Sequence, residues 1–247
     1  MSGDDEWSAL RAFTPARLAQ GRAGNALPTT RLLEFQLAHA RARDAVWAPF
    51  DPAKIAGELS GFETIDAETN AANRHAYLMN PSLGRTLAPA SAAKLARGTY
   101  DAALVIADGL SPSAIHAHGA ALANIVLSRA PHRWAPAIIV TNGRVAIGDE
   151  IAAALGASLA VVMIGERPGL SAADSIGLYL TFAPKPGIST DADRNCISNV
   201  RPEGLPLADA AHRLAWLMDR AIAMQQSGVA LKDAAESPTL PARADSR

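Results

Sequence analysis

Ala102-Ala-Leu-Val-Ile-Ala107-Asp108-Gly109 is an unbroken apolar run closed by a turn pair. Such a run, with β-branched Val105 and Ile106 inside it, predicts a strand buried on both faces. Two similar runs follow. Ala137 to Val140 ends in Thr141-Asn142-Gly143, and Leu159 to Ile164 ends in Gly165-Glu166. Helical stretches separate them, from Ser111 to about Ser128 and from Ile147 to Leu155. Short apolar runs alternating with helices predict a doubly covered parallel sheet built in the order βαβαβ. Leu178 to Phe182 offers a further strand. Leu207, Ala211, Leu214, Met218 and Ala221 recur at helical spacing, so a closing helix over about 206–226 packs on the sheet.

Upstream the texture differs. Thr14-Pro15 reads as a helix start, with Thr14 as the cap and Pro15 in the first helical position. Gly21 to Pro28 forms a loop, and Thr29 or Thr30 caps a long helix to about Trp47. Asp51-Pro52 starts another helix through about Leu59, and Pro89 to Arg97 gives a short one. The expected fold is α/β. A Rossmann-like parallel sheet flanked by helices spans about 100–228, preceded by an N-terminal helical segment over about 8–97. Residues 1–7 and 234–247, polar or rich in Pro, Ala and Ser, are expected to lack order.

Composition narrows the function classes. The formal net charge of -1 gives no global case for nucleic acid or an anionic membrane as partner. A near-neutral surface suits a chain that lives in a complex. One cysteine excludes an intrachain disulfide and a Cys-based metal cluster. The acidic start lacks the order of a signal peptide, and no apolar run approaches the roughly 20 residues that span a bilayer. The expectation is a soluble, cytoplasmic protein.

Glycines, charges and the cysteine gather between Gly143 and Gly204. Three strings stand out: Gly143-Arg-Val-Ala-Ile-Gly-Asp-Glu150, Gly165-Glu-Arg-Pro-Gly-Leu170 and Asp193-Arg-Asn-Cys-Ile-Ser-Asn199. Open α/β sheets place ligands at the carboxyl ends of their strands, where the first two of these strings fall. No G-x-G-x-x-G follows a strand and no P-loop occurs, so neither nucleotide signature is present. His116 and His118 are two apart on a helix and face different sides, which does not make a metal pair. Ser111 and Ser113 do not form a nucleophile elbow, and helix capping accounts for Ser111 better. Cys196 has no adjacent His and reads first as a small buried hydrophobe. Glu166 at a strand's end, before Arg167-Pro168-Gly169, can accept from a ligand or pair with an arginine; both readings stay open. Between Arg11 and Arg43 there are six arginines against one glutamate. That helix is either a solvated basic element or an apolar helix with charged edges docking on a second chain.

Leu33-Glu-Phe-Gln-Leu-Ala-His-Ala-Arg-Ala-Arg-Asp-Ala-Val46, the 143–150 string, Gly165-Glu-Arg-Pro-Gly-Leu-Ser171 and Asn195-Cys-Ile-Ser-Asn199 together resemble the small (light) subunit of ethanolamine ammonia-lyase. The resemblance runs from about Leu10 to Asp233. It implies an adenosylcobalamin-dependent enzyme that converts ethanolamine to acetaldehyde and ammonia by a radical route. It also implies a TIM-barrel large subunit holding the substrate, with this chain covering the other side of the cobalamin. Carried over by motif, the cobalamin contacts fall on Val145, Glu166 and Cys196. The same resemblance implies no catalytic acid, base, nucleophile or metal ligand from this chain, and activity only with the large subunit. A bacterial microcompartment is a setting the sequence leaves open. The competing reading is a cobalamin-binding or carrier module serving a different partner.

Overall fold

All three apolar runs are strands in the computed structural model, which describes residues 7–11, 13–14 and 16–235. The terminal stretches expected to lack order fall almost wholly outside those residues. The strands are β1 (Thr64–Glu68), β2 (Tyr100–Ala107), β3 (Ala137–Thr141), β4 (Ala157–Gly165), β5 (Ile176–Phe182) and β6 (Arg194–Val200). They form one sheet in the order β1-β3-β2-β4-β5-β6. Helices α1 (Ser8–Arg11), α2 (Thr29–Trp47), α3 (Pro52–Glu58), α4 (Arg74–Met79) and α5 (Pro89–Ala92) come from the first part of the chain. Helices α6 (Pro112–Ala114), α7 (Ala120–Arg129), α8 (Ile147–Leu155) and α9 (Leu207–Met224) come from the second. A π-helical turn, Ile115–Gly119, joins α6 to α7. Among the described residues no helix is long and apolar enough to cross a membrane.

The continuous apolar runs follow from burial on two faces. Every residue from Ala102 to Ala107 is wholly buried, and alternate side chains feed different cores. Ala102, Leu104 and Ile106 join Leu122 and Val126 of α7 and Leu214 and Met218 of α9. Ala103, Val105 and Ala107 join Ile147, Ile151 and Leu155 of α8. Each buried Leu or Ile contributes about 1.5–3 kcal/mol, which makes this central strand the anchor of the fold.

The sheet is mixed, which corrects the parallel expectation. β1, β3, β2 and β4 run parallel, but β5 pairs antiparallel with β4 and β6 antiparallel with β5. The physical cause is the connection after β4. A parallel return needs a long crossover, usually a helix, and residues 166–175 contain none, so the chain turns straight back. A second correction concerns the N-terminal segment, which contributes β1 and is not helical throughout. Thr14 is a third. Its Oγ1 accepts from Ala16 N at 3.1 Å, yet residues 16–20 are not helical. Ser111 does cap its helix, accepting from Ala114 N at 3.2 Å.

Candidate functional site

The register aligns the carboxyl ends of the central strands. Ala107 pairs with Val140 and with Ile164, so Asp108, Thr141 and Gly165 leave the sheet at one level. The turns there pack backbone on backbone. Leu110 N donates to Gly165 O at 2.9 Å, and Gly109 holds a left-handed φ of +54°. A Cβ at Gly165 would lie 2.2 Å from Ser111 O, closer than real contacts allow. Only glycine permits that approach.

Above these turns opens a cleft of about 510 Å³ lined by Tyr77, Leu110, Arg144, Val145, Glu166 and Tyr179, with Gly109, Ile164, Gly165 and Arg167 completing the wall. Two of the three residues singled out by sequence therefore share one cavity. Val145 packs on the α8-side core. Glu166 is half-buried, and its Oε2 accepts from Asn199 N at 3.1 Å. The pairing with Arg167 that the sequence left open is not made; Glu166 instead ties the β4 exit to the end of β6. Cys196 stands one step outside the wall. It is exposed, contacts Ser198 Oγ at 3.2 Å, and is the cross-strand partner of Tyr179. Burial pushes the Tyr179 phenol up, with Cys196 beside it adding to the rise. Gly177 leaves room for this corner, since a Cβ there would meet both the Tyr179 ring and the Glu166 carboxylate.

Tyr77 and Asp108 are the residues that sequence reading missed. Asp108 is 1% exposed at the end of β2. Its Oδ1 accepts from Gly143 N and its Oδ2 from Arg74 Nη1, each at 3.1 Å. Tyr77 Oη donates to Gly143 O at 3.0 Å, and its phenol is pushed up to about 12 by burial and then by Asp108. The string before Val145 is thus held at Gly143 by an aspartate and a tyrosine, with Arg74 bracing the aspartate, three residues that the sequence scatters. A second cavity, about 320 Å³, lies on the far side of Arg74 and Asp108, against Trp47 and Phe50. It holds none of the three motif residues. His116 Nε2 accepts from Asp51 N at 3.2 Å while His118 Nε2 meets Asp174 at 3.3 Å, so the two histidines serve separate contacts.

Burial raises the Asp108 carboxyl to about 6, against the opposing pull of Arg74 and the neighbouring amides. A raised value means the folded state holds the proton more tightly than the unfolded one. Its contribution to stability is full below the unfolded value of 3.8 and is lost as pH rises through about 6. Asp108→Asn should remove that loss, so the stability difference between variant and wild type should shift from about pH 4 to about pH 7. Thermal unfolding across that window checks it, and parallel curves would refute the assignment.

The described residues thus form an α/β chain with a cleft at its strand ends, walled by α4, the turns after β2 and β3, and the β4–β5 return. Comparison with known proteins gives the family. Residues 4–232 match the family model of the ethanolamine ammonia-lyase light chain (EutC). The chain is 52% identical to the ethanolamine ammonia-lyase small subunit of Ralstonia nicotianae, over 96% of this chain and 91% of that one. It is 50% identical to the small subunits of Xanthomonas campestris pv. campestris strain B100, over 96% and 90%, and of Azotobacter vinelandii, over 94% and 90%. The chain belongs to the ethanolamine ammonia-lyase light-chain family and is a subunit of a lyase. A small subunit implies a large-subunit partner.

Proposed function

We propose that this chain covers one side of adenosylcobalamin in an ethanolamine ammonia-lyase that converts ethanolamine to acetaldehyde and ammonia. The observation that carries the reading is the common cleft of Val145 and Glu166, with Cys196 across the strand from Tyr179. The donor set fits the cofactor. A corrin is a broad apolar disk rimmed by neutral amides, and Val145, Leu110 and Ile164 offer apolar contact. Glu166 accepts from an amide N–H more strongly than a neutral acceptor would. Cys196 and Ser198 add small, weakly polar contacts farther along β6.

When bound, adenosylcobalamin supplies the radical that starts the reaction. This chain's residues orient the cofactor and shield it from water; none supplies an acid or base to the substrate, which a TIM-barrel large subunit holds. Helix α2 is the natural docking element for that subunit. Only Ala45 of α2 is buried, while Leu33 is 58% and Leu37 and Trp47 each 53% exposed. Its arginines flank this apolar surface, Arg31 paired with Glu34 and Arg43 with Asp44. A cytoplasmic setting, free or within a protein-shelled compartment, belongs to the same reading.

Purified chain mixed with the large subunit, adenosylcobalamin and ethanolamine should release acetaldehyde, with neither chain active alone. Full activity from the large subunit by itself rejects the proposal. In the complex, Glu166→Ala should raise the apparent cofactor constant about tenfold, as loss of a charge-assisted hydrogen bond does, with turnover at saturation nearly unchanged. Recovery of some other partner from the native cell would favour the carrier-module reading.

A further inference from the structure

The cleft carries more positive charge than a neutral, amide-rimmed disk requires. Arg144 and Arg167 both line it, against the single carboxylate of Glu166. Neither arginine forms an ion pair with a described carboxylate. The nearby acids are engaged elsewhere: Asp108 by Arg74 and Gly143, Glu166 by the Asn199 amide. Arg144 is also held in place. Its backbone N donates to Gly84 O at 2.8 Å, and its guanidinium lies beside the Tyr77 phenol, drawing that group's pKa down against burial. Gly84 makes the position possible. A Cβ there would meet Asn142 O at 2.5 Å, the Tyr77 ring at 2.7 Å and the Arg144 Cγ at 3.0 Å. The stem of Arg144 therefore lies along a glycine backbone, and its head, beside the Tyr77 phenol, has no described carboxylate to neutralise it. A guanidinium without a counter-charge in a cavity is a receptor for an anion, and its planar fork matches two phosphate oxygens.

We propose that Arg144, with Arg167 at the rim, is the anion subsite of this cleft and takes the phosphodiester of the cobalamin nucleotide tail. The inference rests on the cobalamin reading. The phosphodiester is the anionic group of that ligand, whose corrin amides are uncharged. Val145 and Arg144 are adjacent in the chain, so one turn serves both parts of the cofactor: Val145 meets the disk and Arg144 the tail. Arg167 follows Glu166 in the same way on the opposite wall.

The test uses the assembled two-subunit complex and reads corrinoid absorbance, not turnover. Cobinamide and cobinamide phosphate, which differ only in the phosphate group, are titrated against wild type, Arg144→Ala, Arg144→Lys and Arg167→Ala. Wild type should bind the phosphate form more tightly. Arg144→Ala should lose that preference, about tenfold to a hundredfold, while its affinity for cobinamide stays as in wild type. Arg144→Lys should recover part of the preference, since it keeps the charge and loses the fork. Arg167→Ala, at an exposed position that leaves the fold intact, should show a smaller loss of the same kind. An Arg144→Ala complex that weakens for both ligands equally, or that keeps the full preference, overturns the proposal. If adenosylcobalamin itself, titrated alongside, fails to saturate the wild-type complex, the cobalamin reading falls, and this outcome is distinct from the other two.

Discussion

Asp149→Ala should cost about 3–5 kcal/mol of stability, because it leaves a buried guanidinium with only the exposed Asp191, 3.8 Å from its Nε, as counter-charge. Arg194 of β6 and Asp149 of α8 are 3% and 2% exposed in their side chains. Two bonds join them, Nη1 to Oδ1 at 2.7 Å and Nη2 to Oδ2 at 2.6 Å, and Thr181 Oγ1 accepts a third at 2.9 Å. The pair spans from the edge strand to the first turn of the helix that follows Val145. Its loss should therefore loosen the elements next to the cleft, α8 behind Val145 and the β5–β6 edge beside Tyr179. Urea unfolding of the single variant gives the cost. Replacing both partners with apolar residues of similar volume should recover most of it, since no charge is then stranded. A single-variant loss below about 1 kcal/mol, the range of exposed pairs, would mean that water reaches the site.

Gly165→Ala should lower both stability and cofactor affinity. The new Cβ would meet backbone, Ser111 O at 2.2 Å and Asp108 O at 2.6 Å, so no side-chain rotation relieves it. The turn after β2 must move, and that turn carries Gly109 and Leu110 of the cleft wall and Asp108 beneath it. Overpacking of this kind costs about 1–3 kcal/mol. Gly169→Ala is the control, with its closest contact at 3.6 Å on the same β4–β5 connection. A melting temperature and a corrinoid titration on each variant, the latter in the complex, decide the matter. Equal behaviour of the two would remove the steric argument.

The sequence made some of these features plain and hid others for physical reasons. The strands β2, β3 and β4 were legible because burial on both faces leaves an unmistakable apolar run. The Ser111 cap and the closing helix α9 were legible because capping and helical spacing are local. The direction of β5 was not, since Leu178 to Phe182 has the same composition in either sense and only its connection decides. β1 was missed because Thr64-Ile-Asp-Ala-Glu68 is an edge strand with Ala67 alone buried. β6 was hidden by polarity, since the burial of Arg194 depends on Asp149 far away in the chain. Of the site, Val145 and Glu166 were reached through resemblance and share the cleft. Arg144 lay in the same quoted string, where its charge next to an apolar contact was the available signal. Tyr77 and Arg74 gave no signal, because their partners Gly143 and Asp108 lie on other elements.

The order of strands in the sheet also sets the order in which the molecule can be completed. β4, β5 and β6 are neighbours in sequence as in space, so they can close by short, fast loops. β1 must wait for β3, which is synthesised only after β2 and α7. On the ribosome, then, β1 stays unpaired until residues 137–141 emerge, although it is the first strand made. Until then Ile65 and Ala67, which end in the α8-side core, stand uncovered, so the early part of the chain depends on residues still to be made for its protection from the wrong surface.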